Sequence, residues 1–143
     1  MQISDILRYK QENHVWTIGR DATIADLLAQ LAEHHIGAMI VTGPDAPVAG
    51  IVSERDIVRQ LHARGAAVLD STVETIMTAD VVHCALNDTI DTVATLMTEQ
   101  RIRHLPVLDE GRLVGVVSIG DVVSSRMRQL EKDRSQLEQY ITG

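Results

Sequence analysis

One nine-residue pattern occurs twice in this 143-residue chain. Gly50-Ile51-Val52-Ser53-Glu54-Arg55-Asp56-Ile57-Val58 returns as Gly115-Val116-Val117-Ser118-Ile119-Gly120-Asp121-Val122-Val123, with the glycine, the serine, the aspartate and every aliphatic position kept. A self-match at fixed spacing marks a duplicated structural unit. The match extends upstream at an offset of 66: Thr23-Ile24 aligns with Thr89-Ile90, Leu27 with Val93, Leu31 with Met97, Ile36 with Ile102 and Val41 with Val107. From Pro47 onward the offset is 65, so one residue is expected to be lost between the turn-forming segments 43–47 and 109–111, where length changes are tolerated. A weaker echo of Ile3-Ser4-Asp5-Ile6-Leu7 in Val73-Glu74-Thr75-Ile76-Met77, at an offset of 70, gives each unit a short leader helix. Two copies imply a pseudo-symmetric pair with a cleft between the halves, divided here as residues 1–68 and 69–143.

Each half reads in the same order. A short apolar strand is expected over residues 15–18 and again over 81–84. A helix follows, capped by Thr23 in the first half and by Asp88 or Thr89 in the second. Ile24, Leu27, Leu28 and Leu31, matched by Ile90, Val93, Ala94 and Met97, supply one apolar face at helical spacing. Two strands joined by a turn come next, 38–42 with 48–52 and 105–108 with 113–117. Their near-continuous apolar runs predict burial on both faces. A second helix begins at Ser53 and at Ser118. The order β-α-β-β-α, twice, defines an α/β fold, and the small, polar segment 65–71 reads as the linker. The last helix is long, with Val123, Met127, Leu130, Leu137 and Ile141 on one stripe that Arg134 interrupts. That stripe either packs on its own domain or forms a dimer seam.

Composition narrows the function. The chain has no Phe, and its aromatics are Tyr9, Trp16 and Tyr140. The core must therefore be aliphatic, and a planar ligand would be gripped by aliphatic side chains and backbone. A net charge of −7 argues against nucleic acid and against an anionic membrane surface. No apolar run approaches the ~20 residues of a membrane span, and Met1-Gln2-Ile3-Ser4-Asp5 lacks the basic start of a signal peptide. One cysteine, Cys84, excludes an intrachain disulfide and fits a reducing compartment, so a cytoplasmic location is expected. His34-His35 is poor metal spacing and His14, His62 and His83 are isolated, so no metal site is expected. No catalytic triad, carboxylate pair or phosphate loop appears in supporting context.

The chemistry-bearing positions are the Ser-x-x-Asp steps. Ser-x-x-acid before an apolar run is first of all a capping box, and Thr23-x-x-Asp26 has the same form. What sets Ser53-x-x-Asp56 and Ser118-x-x-Asp121 apart is the preceding strand and its glycine, which lets another group approach the backbone. A helix N-terminus offers N–H groups and a favourable dipole to an anion. An aspartate one turn in can accept both hydroxyls of a ribose diol.

The duplicated β-α-β-β-α unit, with Gly-aliphatic-aliphatic-Ser-x-x-Asp closing each copy and Arg103-His104-Leu105-Pro106-Val107 in the second, resembles a pair of cystathionine-β-synthase (CBS) domains over residues 3–130. The resemblance implies an adenosine ligand (AMP, ADP, ATP, NAD or S-adenosylmethionine) bound between the units. It implies Ser53 and Asp56, and Ser118 and Asp121, on the ribose. It implies adenine walls from Thr17, Ile18, Ile36, Gly37 and Ala38, and from His83, Cys84 and Ile102. Arg103 and His104 become phosphate partners, arginine through its bidentate fork. Copy one has the uncharged Gly37 and Ala38 at the matching positions, so either that site is weaker or its phosphate would fall to Arg55 or to the basic pair of copy two across the cleft. The expected protein is a regulatory nucleotide sensor and not an enzyme. It is a homodimer that acts through an unknown protein effector or its own assembly. An interaction scaffold with empty sites is the alternative.

Overall fold

The computed structural model describes residues 1–10 and 14–142. In chain order the elements are α1 (Ile3–Tyr9), β1 (Thr17–Gly19), α2 (Ile24–His34), β2 (Ala38–Gly43), β3 (Ala46–Ser53), α3 (Glu54–Arg64), two 3-10 helices (Ala66–Asp70 and Val73–Thr75), β4 (Cys84–Ala85), α4 (Ile90–Gln100), β5 (His104–Asp109), β6 (Arg112–Ser118) and α5 (Ile119–Thr142). Two three-stranded sheets result, β1-β2-β3 and β4-β5-β6. In each, the first strand runs parallel to the second and the third antiparallel to it.

The duplication is visible bond by bond. Thr23 and Thr89 cap α2 and α4, each accepting the N–H three residues on, from Asp26 and Thr92, at 3.1 Å. Asp88 instead takes the Ala85 N–H at 2.8 Å. Both helices end on a left-handed residue, His35 at φ 53° and Arg101 at φ 55°. The next N–H, of Ile36 or Ile102, then returns to Leu31 or Met97 and satisfies an orphan carbonyl. Thr23, Leu27, Leu31 and their partners thus fix where β2 and β5 begin, which is where the site loop lies.

Contacts divide the chain into two compact units, residues 14–82 and residues 1–10 with 83–142. This differs from a division at residue 68, because each leader packs against the other sequence repeat. Ile3 N–H donates to Asp88 O at 2.9 Å and Ser4 N–H to Leu86 O at 3.0 Å. Their offset-70 counterparts Val73 and Glu74 donate to Ala22 O at 2.8 Å and Arg20 O at 3.0 Å. Gln2 bridges to Thr89 as Thr72 bridges to Thr23. The segment 65–71 is accordingly no polar linker. It holds a 3-10 helix whose Val68 is fully buried beside Leu27, Ile57 and Val73.

Three further expectations are adjusted. The first strands lie slightly later than expected, because parallel pairing with β2 and β5 engages residues 17–19 and 84–85. The inserted residue of copy one does not lengthen the turn, since Pro44-Asp45 and Glu110-Gly111 both leave two residues between strands. Both hairpins slip in register, between Val41 and Gly43 in copy one and between Val107 and Leu108 in copy two, and the slip in copy one takes up the inserted residue on β3. Burial on both faces holds in the middle strands, Met39 to Val41 and Leu105 to Val107, while β3 alternates.

The 14–82 core joins Ile18, Ile24, Leu27, Met39, Val41, Val52 and Val73, aliphatic as the missing Phe requires. The long α5 leaves that pattern. Val122 and Ser125 are buried, but Met127, Leu130, Leu137 and Ile141 are 58%, 59%, 62% and 81% exposed. The stripe therefore does not pack on its own unit. Among the described residues no helix is long and apolar enough to cross a membrane.

Candidate ligand-binding site

Ser53 is the last residue of β3 and the N-cap of α3, in extended conformation. Its N–H and its hydroxyl both donate to Asp56 Oδ2, at 2.8 and 3.0 Å, and Asp56 N–H returns to Ser53 Oγ at 3.3 Å. Ser118 and Asp121 repeat the box, with Ser118 N–H to Asp121 Oδ2 at 2.9 Å and Asp121 N–H to Ser118 Oγ at 3.1 Å. Both motifs are thus helix caps. In each, the bonds fall on one carboxylate oxygen, and no hydrogen bond among the described residues engages Oδ1 of Asp56 or Asp121.

The loop after α2 is tied to this cap. Glu54 N–H donates to Gly37 O at 2.9 Å, and Ala38 stands opposite Ser53 in the β2–β3 register. In the second copy Ile119 N–H donates to Arg103 O at 2.8 Å, and His104 stands opposite Ser118. Each unit therefore gathers one set: Ile36, Gly37, Ala38, Ser53 and Asp56, and Ile102, Arg103, His104, Ser118 and Asp121. Arg103 is exposed and His104 half-buried; Arg55 is exposed on the first turn of α3. Neither Arg55 nor Arg103 forms an ion pair among the described residues.

Two expected wall residues lie elsewhere. Ile18 faces the core of its own unit, and Cys84, at the matching position, is buried with Sγ 3.7 Å from Pro106 O. Strand alternation explains this: Thr17 is exposed where Ile18 is buried, and His83 is exposed where Cys84 is buried. Burial, with a further push from Asp88, raises the Cys84 thiol to about 11, so it stays protonated and unreactive at neutral pH. Among the described residues no group of three metal-ligating side chains exists.

Sequence reasoning missed one participant and left open which group the motif glycines admit. Lys10, just past α1, donates from Nζ to Val116 O at 2.8 Å and pairs with Asp121 Oδ2 at 2.9 Å. The glycines of the motif make room for leader side chains. A Cβ on Gly115 would lie 2.8 Å from Leu7 Cδ2, and one on Gly50 would lie 2.6 Å from Met77 Sδ. Leu7 and Met77 stand at the leader offset of 70, the one signal that could have pointed to both contacts.

The structure is a duplicated β-α-β-β-α unit with a Ser-x-x-Asp cap at each strand end, the arrangement of a paired-domain module. The CBS-domain family pattern matches residues 3–63 and 73–128, and the chain belongs to that family. It is 42% identical to a CBS-domain-containing protein from Agrobacterium tumefaciens, with a TM-score of 0.84 over 88% of this chain and 99% of that one. It is 31% identical to the mitochondrial CBS-domain protein CBSX3 of Arabidopsis thaliana, over 99% of this chain and 72% of the relative. The CBS domain pair of protein MJ0100, solved with 5′-methylthioadenosine and S-adenosyl-L-methionine, is 26% identical with a TM-score of 0.77, over 92% of this chain and 98% of that pair. Proteins built of CBS domains alone are generally regulatory.

Proposed function

We propose that this chain is a regulatory module, not an enzyme, that binds an adenosine ligand of the AMP, ADP, ATP or NAD class. Ser53 and Asp56 hold the ribose in one copy, and Ser118 and Asp121 in the other. The observation that carries the reading is the pair of strand-end carboxylates. Each is fixed through Oδ2 while no described residue bonds to Oδ1, which leaves that oxygen to accept from a ribose hydroxyl. The adenosine compounds bound to the MJ0100 pair support it. Arg103 and His104 serve the phosphate, and the half-buried Ile36 and Ile102 contribute apolar contact to the base. Ligand can shift the module only if it favours one of its arrangements, and the output passes to a protein effector or to assembly.

Thermal shift tests the reading. A ligand at about 100 times its Kd adds ~2.7 kcal/mol, several degrees for a chain of this size. No response to AMP, ADP, ATP, NAD or S-adenosylmethionine would leave the interaction scaffold as the function.

The exposed stripe of α5 favours a second reading alongside the first: the module is a homodimer and the stripe is covered by a second copy. All five apolar side chains of the stripe, Val123, Met127, Leu130, Leu137 and Ile141, are more than half exposed, a patch of the kind that marks an interface. Leu130→Glu with Leu137→Glu should halve the mass seen by light scattering. A monomeric wild type with and without nucleotide would exclude it.

A further inference from the structure

We infer that the two copies hold ligands of opposite charge. Ser118 and Asp121 take an anionic, phosphate-bearing adenosine ligand, Ser53 and Asp56 take an uncharged or cationic one, and Lys10 sets the difference. The inference rests on the nucleoside reading above.

The two clamps have the same backbone and different partners. Leader bonds match at an offset of 70, Ile3 with Val73 and Ser4 with Glu74, so the position matching Lys10 is Asp80. In copy two the Lys10 ammonium lies 2.9 Å from Asp121 Oδ2 and neutralises the carboxylate that the ribose would meet. An ammonium has three protons. Val116 O and Asp121 take two of Lys10's, which leaves the third for a ligand oxygen. In copy one, Asp56 is held among the described residues by the N–H and hydroxyl of Ser53 and by no cation. The surroundings add to the contrast. Copy two sets Lys10 and Arg103 against the single carboxylate Asp121, with His104 beside them; the residues matching Glu54 and Arg55 there are Ile119 and Gly120. Copy one sets the carboxylates Glu54 and Asp56 beside Arg55 on the first turn of α3, and the sequence position matching Lys10 is acidic. Unit charges a few ångströms apart in a partly buried site discriminate strongly between ligands of opposite sign.

Calorimetry on the full chain with AMP, adenosine and S-adenosylmethionine reads the difference. Asp56→Asn leaves copy two as the ribose clamp, and Asp121→Asn leaves copy one. With Asp56→Asn, AMP should bind about tenfold more tightly than adenosine. Adding Lys10→Gln should remove most of that preference while adenosine changes less than about twofold, and Lys10→Arg should keep it. With Asp121→Asn the order should invert, S-adenosylmethionine binding at least as well as adenosine and AMP most weakly, and Asp80→Lys should move it toward AMP. An unmoved preference, equal loss of AMP and adenosine on Lys10→Gln, or one preference at both copies would overturn the inference while the nucleoside reading stands. Binding of none of the three to wild type overturns both. Should Lys10→Gln fail a thermal-melt check of folding, the Asp80→Lys arm decides alone.

Discussion

Copy one seats its motif glycine, Gly50, under the Met77 side chain and 2.8 Å, measured from an added Cβ, from the Thr78 carbonyl; copy two seats Gly115 under Leu7 side-chain atoms alone. The backbone of Thr78 also pairs with Ile51 in both directions, at 2.9 and 3.0 Å. Among the described residues, the N-terminal leader reaches β6 by side chains, through Leu7 and through the Lys10 ammonium on Val116 O. One leader is therefore fastened by main chain and the other by side chain. A main-chain fastening is rigid and indifferent to sequence. A side-chain fastening can carry a charge to the clamp, as Lys10 does, and can be changed by one substitution.

The largest test of that contrast is overpacking. Gly50→Val should cost about 3 kcal/mol, because backbone oxygen cannot move aside, and Gly115→Val nearer ~1 kcal/mol, because Leu7 can change rotamer. Urea denaturation measures both, and equal costs would erase the distinction. Next come the carboxylates. Asp56→Ala and Asp121→Ala each lose a cap worth ~1 kcal/mol. Asp121→Ala also loses the Lys10 pair, whose side chains are 30% and 22% exposed, so up to ~1 kcal/mol more is expected. The reverse order would show that the pair adds nothing to the fold. Thr23→Ala and Thr89→Ala should then cost the same, ~1 kcal/mol each, since both caps bond at 3.1 Å.

The smallest effect is an alkaline one. Copy two has Cys84 where copy one has Ile18. The thiol is raised from an ordinary 9.0 to about 11 in the fold. The unfolded chain therefore loses the thiol proton first, and the stability present below pH 9.0 is lost as pH rises towards 11. The melting temperature of wild type should fall more steeply than that of Cys84→Val across that window, and parallel slopes would contradict it.

Much of this was legible in the residues. The Thr23 and Thr89 caps, the strand pairs and the start of both motif helices follow from turn chemistry and apolar periodicity, which are local. The loops at residues 36–38 and 102–104 join their Ser-x-x-Asp steps because β2 pairs with β3, and β5 with β6, in hairpins of fixed register. The leaders' destinations were not legible, because Leu7, Lys10 and Met77 meet partners set by the fold of a different repeat. Nor was the burial of Ile18 and Cys84, where resemblance named a strand and the pleat decided which face each side chain took. The segment at residues 65–71 misled through Gly65, Ala66 and Ala67, whose smallness hid that Val68 is a core residue.

The crossed leaders bear on how the chain can be cut. A half-length chain carrying one repeat would hold a leader with no seat and a seat with no leader. Two such half-chains would satisfy one another by exchanging leaders. A single-repeat chain of this design would fold as a leader-swapped dimer. For the same reason, the chain severed near residue 65 should reassemble from its two pieces, while either piece alone should not hold its fold.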